Sequence, residues 1–364
     1  MYKLLQKTSL LTHSLCGLAL VSVIILLSLD GMFLRNSLSI LASLLLVAAV
    51  AKQEPHHNRL QPVDRFLAST EWGIVNLSVE EPGEKTILSF TVKELIVWVL
   101  LLGSLFLFVY HPHYYEFLAR EDYVVETGTA LLLLASSGIF LRISTMLIRF
   151  NTFPSIFIIT ALVLALSLFF VGMEEISWFQ RVLDIDTPRA FKDNQQGETN
   201  LHNFASILFQ QAYYFGSFCL FTILPFVKSE TPVLQKGFFS FFSPSRIFIF
   251  LSALFISYDY LDLYFSNAWF LMHFSYFITL FILVHYTWLL RSADKTFLLP
   301  TLVIYYLLTT VIILYFIFQY IEQPWITEEY KELMISVCFL LYSLEILSKA
   351  KRLESIDLQK PLPI

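Results

Sequence analysis

From Ser155 to Met173 the chain carries no charged side chain. A helix needs about 20 apolar residues to cross the hydrocarbon of a bilayer, and backbone polar groups in lipid must be satisfied within the segment. The run therefore reads as a spanning helix. Still in helical register at its end stand Glu174, Glu175, Ser177, Trp178, Gln180 and Arg181. Ionisable groups at a membrane boundary are costly unless paired, hydrated or used. A second polar cluster, Glu198, Asn200, His202 and Asn203, precedes the next apolar run, and together the two locate a candidate site.

The whole chain shares this character. Of 364 residues, 57% are hydrophobic and only 15% charged, with a mean hydropathy of +0.67, against about a quarter charged in soluble domains. The expected fold is all-α, a polytopic helical transmembrane bundle. Ten spans are expected, at 10–29, 37–51, 95–110, 123–148, 155–173, 205–227, 247–265, 269–290, 298–318 and 331–348. The first reads as a signal anchor, because no small-residue cleavage site follows it. Cys16, Cys219 and Cys338 fall in apolar runs without paired spacing and read as core residues.

Positive charge is retained on the cytoplasmic side. With ten spans, 18 of the 24 Lys and Arg residues fall on the side of the termini, and 17 of the 29 acidic residues fall opposite. Both termini are thus expected in the cytoplasm, with a bacterial inner membrane as the setting. Four regions follow: a transmembrane hairpin at 1–51, a small cytoplasmic polar segment at 52–94, the main bundle at 95–348 and a cytoplasmic tail at 349–364. Within the polar segment, 72–79 and 85–92 are β-rich and flank Glu80-Glu-Pro-Gly-Glu84, a hairpin signal.

Four outer-face clusters are expected to meet across the bundle. Glu126 lies a turn inside the fourth span, with Asp122 four residues before it on the same face. Glu174 and Glu175 close the fifth span, with Trp178 and Arg181 above Glu174 at i+4 and i+7. Asn200 or Asn203 would cap the sixth helix. Asp259 and Asp262 share a face of the seventh, and His273 opens the eighth.

Buried carboxylates with His and Asn at one depth suit either acid/base catalysis or a divalent metal. Glu174, Glu175, Asp259 and Asp262 are the catalytic candidates. Glu175, His202, Asp259 and His273 are the metal candidates. Trp178, Gln180, Arg181, Asn200, Asn203 and Glu126 would bind substrate, Arg181 through a bidentate grip on phosphate or carboxylate. Structural roles compete throughout: an ion pair of Glu174 or Glu175 with Arg181, a loop role for His202, a hydrated helix end at Asp259 and Asp262, and a packing hydrogen bond for His273. Glu322, Glu328, Glu329 and Glu332, around the last outer loop, read as solvated.

The text E-E-I-S-W-F-Q-R at 174–181, Thr187-Pro188 and N-x-x-x-E-T-N-L-H-N from Asn194 resembles a group of bacterial multi-pass membrane proteins. Members tend to carry glycine where this chain has Phe179, and an E-D-x-x-x-E element like Glu121, Asp122 and Glu126. The resemblance implies a membrane protein and brings no activity with it. A looser similarity is to the membrane hydrolase superfamily containing alkaline ceramidases. Its paired late histidines are not matched, since His273 has no second His beside it.

The leading expectation is a membrane enzyme acting on a lipid or lipid-linked envelope substrate. One alternative is a secondary transporter or proton- or cation-coupled permease using Glu126, Asp259 and Asp262, although no repeat is visible and 11 glycines leave little room for broken helices. Another is a noncatalytic envelope-complex component whose acidic outer face meets a basic partner. No basic patch supports nucleic-acid binding.

Overall fold

The computed structural model describes residues 111–120, 123–149, 153–180, 183–192, 198–201, 204–231, 237–258, 270–292 and 326–357, with scattered positions from 86 to 110, Leu234 and Val303. Among the described residues the regular structure is helical apart from one short antiparallel pair, β1 (Thr86–Ile87) and β2 (Phe90–Thr91), in which Ile87 faces Phe90. Within the run 85–92, expected as one strand of a hairpin, the chain itself doubles back. Its expected partner, 72–79, lies outside the described residues.

Nine helices are described: α1 (Pro112–Leu118), α2 (Val124–Arg149), α3 (Ser155–Glu175), α4 (Ser206–Phe218), α5 (Leu224–Glu230), α6 (Gly237–Phe242), α7 (Ile247–Ile256), α8 (Phe270–Ser292) and α9 (Ile326–Asp357). Among the described residues three helices are long and apolar enough to cross a membrane, at Val124–Arg149, Ser155–Glu175 and Thr327–Leu353. They match the expected fourth, fifth and tenth spans. Shorter apolar helices at Ile247–Ile256 and Phe274–Thr287 fall inside two others. The expected spans 10–29 and 37–51 lie outside the described residues, as does 298–318 apart from Val303.

The described elements fall into two compact units. In the first, α2 packs along both α3 and α9. Helix α9 is its core: 78% of its most apolar stretch is buried, against 39% for α2 and 33% for α3. Helix α3 has two faces. Phe157, Ala161, Ala165, Leu168 and Gly172 recur at helical spacing and are buried, while Ile159, Val163, Leu166 and Phe169 are exposed. A stripe of bare aliphatic side chains is unfavourable in water and costs nothing against acyl chains.

Small residues let α2 and α3 approach closely, as helices in lipid do when van der Waals packing must hold them. A Cβ built on Gly172 would lie 3.2 Å from the Ala130 carbonyl oxygen, from Leu133 Cβ and from Leu134 Cγ. Beside it, Ser137 Oγ donates to the Ala165 carbonyl at 2.7 Å. Midway along α9, Tyr342 Oη donates to the Phe242 carbonyl at 2.6 Å. Lys349 Nζ donates to the Phe241 and Ser243 carbonyls and pairs with Glu345 at 3.0 Å. These bonds satisfy carbonyls that the end of α6 leaves orphaned.

In the second unit, α4 leads into α5 through a π-turn at Cys219–Ile223. Pro225 explains it, since it has no N–H to return to the Phe221 carbonyl, and a wider turn absorbs the missing bond. Thr222 and Ser252 hydroxyls meet at 2.6 Å, and the Phe221 and Phe248 rings stack. Ser229 Oγ and Tyr286 Oη, also 2.6 Å apart, join α5 to α8.

Candidate functional site

The two polar clusters of the sequence form one structure. Helix α3 stops at Glu175, and the next residues do not continue it. Ser177, Trp178 and Phe179 take φ values of 45°, 55° and 62°, three consecutive non-glycine residues in the left-handed region. Helices commonly end on one left-handed residue, usually glycine. A left-handed turn of ordinary residues costs about 1–2 kcal/mol each, so about 3–6 kcal/mol here. The expectation of unbroken helical register to Arg181 is therefore corrected.

Side-chain hydrogen bonds hold the turn. Trp178 Nε1 donates to Glu174 Oε1 at 2.7 Å, so the two residues meet as the i+4 spacing suggested, but through a turn of opposite hand. The backbone N–H of Leu201 donates to Glu174 Oε2. Gln180 Oε1 accepts from the Thr199 N–H, and Gln180 Nε2 donates to Thr187 Oγ1 at 2.8 Å. Ser177 Oγ donates to Glu198 Oε2. Asn200 Nδ2 donates to the same Glu198 oxygen at 3.1 Å and to Ser177 Oγ at 3.3 Å.

Glu174, Ser177, Gln180, Glu198 and Asn200 are all at most 8% exposed. A buried network of this kind stabilises only when its members are satisfied, and four of these bonds, at Glu174, Ser177 and Gln180, link 174–180 to 198–201. Around it Trp178, Phe179, Leu183, Ile185, Leu201 and Phe204 are exposed, interleaved with the exposed Asp184, Asp186 and Arg189. A polar interior under a greasy rim suits a molecule with a polar head and apolar tails.

Asn200 is not a helix cap, contrary to one expectation. Helix α4 begins at Ser206, and the Asn200 amide is directed to Ser177 and Glu198. Glu174 has both oxygens engaged, which is the geometry of a positioning group. Gln180 likewise bridges the turn to Thr187 and Thr199.

Glu175 points to a different neighbourhood. Half-buried at the end of α3, it lies within electrostatic reach of Glu126 in the first turn of α2 and of Glu329 and Glu332 near the start of α9. The reading of Glu328, Glu329 and Glu332 as solvated is corrected, since all three are half-buried on α9. Glu328 accepts from Gln210 Nε2 at 2.8 Å and has the buried Lys331 ammonium within electrostatic reach. Among the described residues, no three His, Cys, Asp or Glu side chains are arranged to hold a metal ion.

Arg181, His202, Asn203, Asp259 and Asp262 lie outside the described residues, as does Asp122. His273 falls in the first turn of α8, and its side chain is outside the description. Sequence reasoning gave no role to Ser177, Glu198, Glu329 or Glu332. Ser177 and Glu198 stood within the motifs, but nothing in their spacing showed that a left-handed turn would bring them together.

Comparison with models of known protein families, with curated proteins and with solved structures finds no match for this chain.

Proposed function

We propose that this chain is an integral membrane enzyme acting on a lipid or lipid-linked envelope substrate, with its site at the end of α3. The observation that carries this reading is the left-handed turn at Ser177–Phe179, held by buried hydrogen bonds at the boundary of a spanning helix. Strained backbone persists only where its surroundings over-determine it, and it concentrates at functional sites. The exposed apolar rim supports a substrate delivered from the bilayer. In this reading Glu174, Gln180 and Asn200 hold the turn, and Glu175, which ends α3 beside it, is a candidate acid/base carboxylate outside that network. The full architecture is a bundle of about ten spans in a bacterial inner membrane with both termini cytoplasmic, as the distribution of Lys and Arg supports.

The test compares membranes from cells expressing the wild-type chain or Glu175→Gln, with lipids and lipid-linked species profiled by mass spectrometry. At least one species is consumed or produced by the wild type and not by the variant, while the melting midpoint in detergent is unchanged. Identical profiles would remove Glu175 from the mechanism, and a wild-type profile matching that of cells without the chain would remove the enzyme reading.

The grouping of Glu126, Glu175, Glu329 and Glu332 at the ends of three helices favours a second reading, a permease coupled to protons or cations. Its signature is pH-driven uptake into vesicles that Glu126→Gln eliminates.

A further inference from the structure

We propose that Ser177 is a nucleophile, Glu198 its general base and Asn200 the residue that orients the base, so that the substrate is a carboxylic ester of a lipid. The proposal deepens the enzyme reading and rests on it. An activated nucleophile is recognised by a base within hydrogen-bond reach, itself oriented by a third group. Ser177 Oγ donates to Glu198 Oε2, and Asn200 Nδ2 donates to that same oxygen at 3.1 Å. The amide is also 3.3 Å from Ser177 Oγ, so it fixes base and hydroxyl as one unit.

Backbone conformation is the second, independent observation. Ser177 sits at φ 45° as the first residue of the left-handed turn. In one known hydrolase arrangement a strained turn between a strand and a helix presents the nucleophilic serine; here the strained turn follows a helix and sets Ser177 out of its register. Ser177, Glu198 and Asn200 are shielded from bulk solvent, at 3%, 8% and 2% exposed, so the water of the second step enters where the alcohol departs. The exposed side chains of Trp178 and Leu201, next in sequence to Ser177 and Asn200, and of Phe179 one residue further, offer apolar surface to acyl tails.

The chemistry balances without a cofactor. Ser177 Oγ attacks the ester carbonyl carbon while its proton passes to Glu198 Oε2. The tetrahedral intermediate breaks its bond to the alcohol oxygen, which takes that proton and departs, leaving the acyl group on Ser177. Water then attacks the acyl carbon and gives a proton to Glu198. Collapse of the second intermediate releases the fatty acid and returns the proton to Ser177 Oγ.

The experiment treats membranes containing the full chain with an alkyl fluorophosphonate and maps the adduct by peptide mass spectrometry. The wild type carries the adduct on Ser177, Ser177→Ala carries none, and Glu198→Gln is labelled at least about 100-fold more slowly, the usual contribution of a general base. Melting in detergent checks that the variants fold, and the wild-type map decides the matter even if one does not. No adduct, or an adduct confined to another residue, overturns the assignment. A wild-type lipid change that survives in Ser177→Ala would overturn the nucleophile and leave the enzyme reading standing, whereas no lipid change in the wild type would remove both.

Discussion

Trp178 donates its indole N–H to Glu174 at 2.7 Å across a turn wound in the opposite sense from the helix that Glu174 ends. The indole edge also meets the rings of Phe169 and Phe170, which fix its orientation. Trp178→Phe keeps an aromatic ring and removes the donor, leaving a buried carboxylate oxygen short of its partner. A loss of about 1–3 kcal/mol is expected. A lowered unfolding midpoint in detergent would show it; an unchanged midpoint would mean that the bond contributes nothing net.

Phe179 holds φ 62°, a conformation that glycine adopts without steric cost. Phe179→Gly should be at least as stable as the wild type, because relief of about 1–2 kcal/mol of strain offsets the greater freedom of the unfolded chain. Phe179→Val places a β-branched residue where it fits worst and should lose about 1 kcal/mol or more. Unfolding measurements that ranked valine above glycine would contradict the left-handed assignment.

Gly172 and Ser137 hold the same helix pair by different means. Gly172→Ala forces a methyl against a carbonyl and two leucines at 3.2 Å, an overpacking expected to cost about 1–3 kcal/mol. Ser137→Ala removes one interhelical hydrogen bond, worth about 0.6 kcal/mol on average within a membrane. The glycine substitution should be the worse of the two by thermal unfolding.

Lys349 and Glu345 are each 9% exposed. Lys349→Met leaves the carboxylate buried without its cation and releases two carbonyls near the end of α6, for an expected loss of about 3–5 kcal/mol. Glu345→Gln in the same chain should recover part of that loss. A double-mutant cycle measures the recovery, and additive losses would show that the two groups act independently.

The spanning helices were legible because lipid imposes a single rule, an uncharged run of fixed length, and 155–173 obeys it plainly. The location of the site was legible for the same reason, since Glu174, Gln180 and Asn200 are conspicuous beside such a run. Its geometry was not. A helical reading of 174–181 follows from periodicity, and only contacts with residues about twenty positions downstream overturn it. Glu329 and Glu332 were misread because a charge near a loop looks solvated until the neighbouring helix ends, carrying Glu126 and Glu175, are placed beside it.

The turn at Ser177–Phe179 has its fasteners on a segment that is synthesised later. When Gln180 leaves the ribosome, Glu198, Thr199 and Leu201 have yet to be added, so only the local Trp178–Glu174 bond opposes the right-handed preference of the chain. The handedness of this motif is therefore decided after α3 has been made, by the return of the loop. The motif then serves as a record of assembly: a chain in which residues 198–201 fail to dock retains its spanning helix and lacks a site.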